Sequence, residues 1–180
     1  MNVYISGGCK NGKSYHAQRI SQAMGKPLYY LATMIPHDDE DRARIRRHLQ
    51  ERDGWGFETI ECGTNILSAL DTADVSGSFL LDSVTALLSN EMFRADGSFD
   101  ETAPARVADE LAEFIRRAPN TVMVSDYIYS DAILYDSMVE AYRAGLAHID
   151  RRIARECSHV IEVVNGIMIF HRGENIWPDA

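Results

Sequence analysis

An α/β fold, with a mostly parallel sheet covered by helices on both faces and a C-terminal antiparallel hairpin, is predicted by three observations. Short apolar runs alternate with helix-like segments along all 180 residues. Such alternation builds parallel sheets from strand–helix–strand units. The run Gly7-Gly8-Cys9-Lys10-Asn11-Gly12-Lys13-Ser14 fits the phosphate-binding P-loop pattern, Gly, four residues, Gly-Lys-Ser. Asn165-Gly166 stands between two apolar runs, the strongest short signal for a hairpin. Together they specify a P-loop NTPase-like (RecA-like) fold, read as a single nucleotide-binding domain over residues 1–180.

The elements follow in order. Asn2 to Ser6 reads as an apolar strand leading into the glycine turn. Residues 13 to 24 form a helix, with Ala17, Ile20 and Met24 at helical spacing. Pro27 to Ala32 is a second strand, and Asp38 to Arg52 is strongly helical in composition. Phe57 to Glu61 is a short strand and Asn65 to Leu70 a short helix. Ser78 to Leu81 is a buried strand followed by a packed helix, Val84 to Phe93, and a polar loop, Arg94 to Asp100. Pro104 to Arg117 is an amphipathic helix with Val107, Leu111, Phe114 and Ile115 on one side. Thr121 to Val124 is a strand and Ser137 to Cys157 a long helix. Val160 to Val164 and Ile167 to Phe170 make the hairpin, and the tail Gly173 to Ala180 is expected to be loose.

Composition narrows the function. Hydrophobic residues make up 46% and charged residues 25%, both globular values. The net charge of −9 argues against nucleic-acid and anionic-membrane binding, so affinity for phosphate must be local. No apolar stretch approaches a membrane span. The strand and P-loop start too early to leave room for a signal peptide. Cys9, Cys62 and Cys157 have no metal or disulfide spacing, which points to the cytoplasm. Cys9 lies in the phosphate loop and reads as a small residue that fits the turn.

A strand running through a glycine turn into a helix builds an anion site. Backbone N–H groups converge on phosphate oxygens, and the helix dipole favours negative charge. Lys13 should reach the terminal phosphates, and the Ser14 hydroxyl should hold Mg²⁺. P-loop enzymes also need an acid at the end of a second buried strand to position the metal. Asp82 ends the run Phe79-Leu80-Leu81; its competing role is N-cap of the next helix. On the 38–52 helix, Arg44, His48 and Arg52 fall on one stripe, beside an apolar pair, Ile45 and Leu49. Arginines flanking a histidine disfavour the imidazolium and leave a neutral nucleophile beside phosphate-binding cations. The competing reading is a solvated, salt-bridged helix carrying an incidental histidine.

The order of motifs resembles the bifunctional adenosylcobinamide kinase / adenosylcobinamide-phosphate guanylyltransferase family of cobalamin biosynthesis. The resemblance runs from Val3 to about Gly173. It rests on the early Gly-Gly-x-x-x-Gly-Lys-Ser loop, Tyr30-Leu31-Ala32-Thr33, Asp39-Glu40, and Arg44-Ile45-x-x-His48-x-x-x-Arg52. Gly56-Phe57-Glu58-Thr59-Ile60-Glu61, Leu80-Leu81-Asp82, Ser89-Asn90-Glu91-Met92-Phe93 and Val163-Val164-x-Gly166-Ile167 complete it. The family implies a P-loop fold, often assembled as a homotrimer. It implies phosphorylation of the aminopropanol hydroxyl of adenosylcobinamide by ATP or GTP, then transfer of GMP from GTP through a covalent guanylyl-histidine. By motif position His48 takes GMP and Arg44 steadies the phosphates. The resemblance places Arg52 and Glu61 among the nucleotide-binding residues, with Ser14 and Asp82 on Mg²⁺.

The chain departs from the family pattern after the strand that ends at Val124. The family carries Thr-Asn-Glu-Val where this chain has Ser125-Asp126-Tyr127-Ile128, and the family's Asn in the long helix is matched by Asp150. Tyr127, Tyr129 and Tyr135, around Asp126 and Asp131, form an aromatic, acidic segment suited to a bulky ligand or a subunit contact. His16 reads as local packing or surface, His37 as a solvent-exposed loop residue in preference to a substrate contact, and Trp55 as a loop-tip anchor. Two other functions fit the same P-loop: a kinase for another small molecule without guanylyl transfer, and a non-catalytic nucleotide-binding module. His48 separates them from the bifunctional reading.

Overall fold

In the computed structural model the described residues are 1–36 and 38–178, without the side chains of Arg44 and Glu51. The expectation for His37 falls outside them. Seven strands form one sheet: β1 (Asn2–Gly7), β2 (Leu28–Ala32), β3 (Phe57–Glu61), β4 (Ser78–Asp82), β5 (Thr121–Asp126), β6 (His159–Val164) and β7 (Ile167–Arg172). Their order is β3-β2-β4-β5-β1-β6-β7. All pairs are parallel except β6–β7. Between the strands run α1 (Lys13–Met24), α2 (Asp39–Glu51), α3 (Val84–Met92), α4 (Ala103–Arg117) and α5 (Ser137–Glu156). The predicted short helix at residues 65–70 is a 3-10 turn, Ile66–Asp71.

The apolar runs are continuous because both sheet faces are covered. Successive side chains point to opposite faces. Val3, Ile5, Tyr30, Leu80, Val122 and Val124 therefore meet Ala17 and Ile20 of α1. Tyr4, Leu31, Phe79, Leu81 and Met123 instead meet α3, α4 and α5. Phe79 and Phe114 are fully buried, edge to face at 5.4 Å. Burial of each such ring is worth about 2–3 kcal/mol.

Caps fix the helix starts. Asp136 accepts from the N–H groups of Met138 and Val139 at the head of α5, and Asp38 accepts from Asp41 N at the head of α2. Ser83 caps α3 by accepting from Ala86 N at 3.2 Å. The cap competing for Asp82 is thus supplied by its neighbour. Asn165 (φ 51°) and Gly166 (φ 79°) make the hairpin turn with both central residues at positive φ, as the strand twist requires.

Two expectations change. β5 runs two residues past Val124, because pairing with β1 continues to Gly7 opposite Asp126. Asp126 is therefore a strand-end residue facing the P-loop. The tail is not loose through Trp177. Ile176 and Trp177 pack against the α1-side core, an anchor that composition does not advertise.

Candidate active site

The carboxyl ends of the parallel strands converge on one edge of the sheet, where open α/β sheets bind ligands. The P-loop follows β1, Asp82 ends β4, Asp126 ends β5 and Glu61 ends β3. Gly7 is needed by close approach: a Cβ there would meet Val163 O at 2.5 Å. Gly12 adopts φ 86° as the loop turns into α1. The hairpin braces the loop from behind, since Asn11 Nδ2 donates to Val163 O at 3.2 Å and His16 Nε2 lies 3.0 Å from Gly166 O.

A cavity of about 920 Å³ opens over the loop. Cys9, Lys10, Asn11, Gly12, Lys13 and Ser14 line it, with Asp82 and Asp126 at its floor. Gly7 is buried and Gly8 offers its carbonyl to Lys13. Lys13 is only 5% exposed, and its Nζ donates to Gly8 O at 2.7 Å and Asp126 Oδ1 at 2.6 Å. Asp126 N is in turn held by Thr85 Oγ1 at 2.9 Å. The Asp82 carboxylate accepts from Tyr30 OH at 3.0 Å. Cys9 is an exposed free thiol.

His48 borders this cavity and also a second one, of about 570 Å³, under the other flank of α2. Arg52 and Glu61 line the second cavity, not the first. Arg52 is buried, with its guanidinium carbon 3.9 Å from the Tyr30 ring centroid and Nη2 donating to Thr59 Oγ1 at 3.0 Å. Such a stacked, hydrogen-bonded guanidinium is held rigidly.

The Arg44–His48–Arg52 stripe is only partly what the helix presents inward. Among its described side chains none is buried, and the half-buried ones are Asp41, Ile45 and His48. With buried Arg52 they make the inward stripe; the Arg44 side chain lies outside the described residues, and Leu49 is 45% exposed. Arg47 lines the P-loop cavity, with Glu40. Sequence reasoning missed Arg47. Its signal was its place next to Arg46: on a helix straddling two cavities, neighbours about 100° apart face different ones, and Arg46 lines the second cavity while Arg47 lines the first.

Magnesium suits the residues present. Mg²⁺ binds through one or two protein oxygens plus substrate phosphates, and Ser14 and Asp82 open on the same cavity. Among the described residues no group of three or more His, Cys, Asp and Glu forms a metal cluster, and no helix is long and apolar enough to cross a membrane.

On the opposite face from α1, Asp150 is 3% exposed and accepts from Tyr129 OH at 2.9 Å. Burial pushes its carboxyl up to about 6, although the nearby hydroxyls of Ser125, Tyr129 and Tyr4 favour the charged form.

Comparison with known proteins agrees with this architecture. The profile of the family described as "CobU: Cobinamide kinase / cobinamide phosphate guanyltransferase" matches residues 3–170. The chain is 28% identical over 179 residues to the bifunctional adenosylcobalamin biosynthesis protein CobU of Salmonella typhimurium, covering 93% of this chain and 97% of that protein. It is 26% identical over 179 residues to the bifunctional adenosylcobalamin biosynthesis protein CobP of Pseudomonas aeruginosa, covering 97% and 99%. Among solved structures, a Pyrococcus horikoshii OT3 protein superposes with a TM-score of 0.56 at 6% identity, covering 98% of this chain and 88% of that one. The RadB recombinase superposes with a TM-score of 0.50 at 14% identity, with the same coverage. These two likenesses establish the RecA-like P-loop fold alone. With the family profile spanning nearly the whole chain, the protein belongs to the cobinamide kinase / cobinamide phosphate guanyltransferase family.

Proposed function

We propose that this chain, as a single nucleotide-binding domain, phosphorylates adenosylcobinamide and then transfers GMP from GTP to adenosylcobinamide phosphate through a guanylyl-His48 intermediate. The observation that carries the reading is the position of His48 between the P-loop cavity and the second cavity. A GTP with its terminal phosphates on the P-loop and its base in the second cavity would pass its α-phosphate beside that imidazole. Glu61 supports the assignment of the base, because a carboxylate accepts from the ring N–H and amino groups of guanine.

In the kinase step the acceptor hydroxyl attacks the γ-phosphorus of ATP or GTP in line with the leaving nucleoside diphosphate, and its proton passes to solvent. Lys13 and the N-terminus of α1 offset the developing charge. Mg²⁺, held by Ser14 and Asp82, would supply further neutralisation of the phosphate oxygens. In the guanylyl step a ring nitrogen of His48 attacks the α-phosphorus. The N–P bond forms as the P–O bond to pyrophosphate breaks. The acceptor's phosphate oxygen then displaces the imidazole, and a diphosphate link results. Splitting one displacement into two is the gain of covalent catalysis. Arg47, on the cavity wall, and Arg44, by its motif position, steady the phosphates. The family resemblance supports a homotrimer, to be checked by light scattering, and the cysteine usage supports a cytoplasmic location.

Intact-protein mass spectrometry after incubation with GTP and Mg²⁺ tests the reading. The expected result is an acid-labile, GMP-sized gain on wild type and none on His48→Ala. No gain on a wild-type protein that binds GTP would sink the guanylyl half and leave the kinase without guanylyl transfer.

A further inference from the structure

The P-loop cavity has an aromatic wall that neither phosphate binding nor the guanylyl step uses. Tyr15 follows Ser14 on the first turn of α1 and is 54% exposed at the cavity. Trp55 comes from the loop between α2 and β3 and lines the same cavity. The two rings meet edge to face at 6.3 Å, although they belong to separate elements. Trp177 braces them from the tail: its ring lies 6.1 Å from Tyr15 and 4.9 Å from His16, with the Arg19 guanidinium carbon 5.6 Å from its centroid. His16 is itself fixed on the hairpin through Gly166 O. The wall is therefore tied to the sheet at several points and presents rings beside an otherwise polar phosphate site.

We propose that Tyr15 and Trp55, braced by Trp177, form a docking wall for the conjugated macrocycle of the corrinoid acceptor. The inference rests on the bifunctional reading. That acceptor must bring a small hydroxyl, and later its phosphate, to the P-loop and His48, while its much larger ring system stays at the cavity mouth. The second cavity is assigned to the nucleotide base, and the remaining rim on α2 is charged through Glu40 and Arg47. Aromatic rings are the surface there that gains from burying a broad conjugated face.

Equilibrium dialysis of adenosylcobinamide, read by its visible absorbance, tests the wall with wild type, Tyr15→Ala, Trp55→Ala and Trp55→Phe. GTP with Mg²⁺ is dialysed in parallel. The corrinoid Kd should rise about tenfold in both alanine variants, the scale of one lost stacking face, and stay within about threefold in Trp55→Phe. Equal corrinoid binding by all four proteins overturns the proposal, as does no corrinoid binding by wild type. A loss confined to GTP assigns the wall to a purine and also overturns it. The underlying reading fails on a different observation, because the guanylyl adduct forms without any acceptor. Its absence from wild type counts against the bifunctional reading whatever the dialysis shows.

Discussion

The Lys13 ammonium lies 2.6 Å from the Asp126 carboxylate, with side-chain exposures of 6% and 23%. The cation proposed to bind phosphate already has an anion. The register of β5 against β1 puts that anion there, opposite Gly7. A triphosphate must displace Asp126 or share Lys13 with it.

Replacing Asp126 by Asn should therefore tighten triphosphate binding by roughly three- to tenfold, since the phosphate no longer competes with a carboxylate. The same change leaves Lys13 poorly compensated in the free protein, so the melting temperature without nucleotide should fall. The nucleotide-induced rise should grow in step. Calorimetric titration and thermal unfolding with and without GTP read both effects. Weaker binding in Asp126→Asn would show that the carboxylate assists the nucleotide rather than opposing it.

Asp150 sets a pH dependence. Its folded-state pKa, about 6, is raised above the usual carboxylate value of 3.8 by burial. The contribution to stability is thus fully present below about pH 4 and lost as pH rises through about 6. Above that the buried charge is a cost of roughly 1–3 kcal/mol. Asp150→Asn should stabilise the protein by about that much at pH 7–8 and flatten the trend between pH 4 and 6. Its amide oxygen can still accept from Tyr129 OH. Urea denaturation across pH 4–8 checks this, and a less stable Asn variant at pH 8 would contradict it.

Asp82→Asn should raise the Mg²⁺ concentration needed for half-maximal phosphoryl transfer by about tenfold or more, because an amide is a poorer ligand for a hard cation. A magnesium titration of the kinase rate reads it directly. Unchanged magnesium demand would leave Asp82 with its Tyr30 hydrogen bond as its sole role.

Arg47→Ala should slow adduct formation on His48 by about ten- to a hundredfold, the scale of one lost charge partner in a phosphoryl site. Quenched-flow mass spectrometry follows it. Arg46→Ala is the useful contrast, since Arg46 lines the second cavity instead. Equal slowing in both variants would mean that α2 contributes only general positive charge.

Much of this architecture was legible because local and global signals agree. The P-loop residues, the strand ends and the Asn165-Gly166 turn each carry their own steric logic, and the helix at 13–24 has the predicted bounds. What was not legible depended on long-range pairing. The extension of β5 to Asp126 comes from its neighbour β1, and so does the Lys13–Asp126 contact. On α2, helical spacing fixes that His48 and Arg52 share a face but not which face turns inward. That was settled by the docking of Arg52 on Tyr30. Terminal position suggests a loose tail, and the packing of Ile176 and Trp177 contradicts this through residue 177.

The Trp177 indole has a spectroscopic consequence. The chain holds two tryptophans, Trp55 and Trp177, and both belong to the aromatic group around Tyr15. Light absorbed at the red edge of the protein band is therefore emitted from one corner of the molecule, beside the P-loop cavity, while the deep core is dark. An emission-monitored denaturation curve follows the loosening of that corner, and circular dichroism follows the sheet and helices. Coincident midpoints mean that this corner unfolds with the whole domain, and an earlier emission midpoint means that it gives way first.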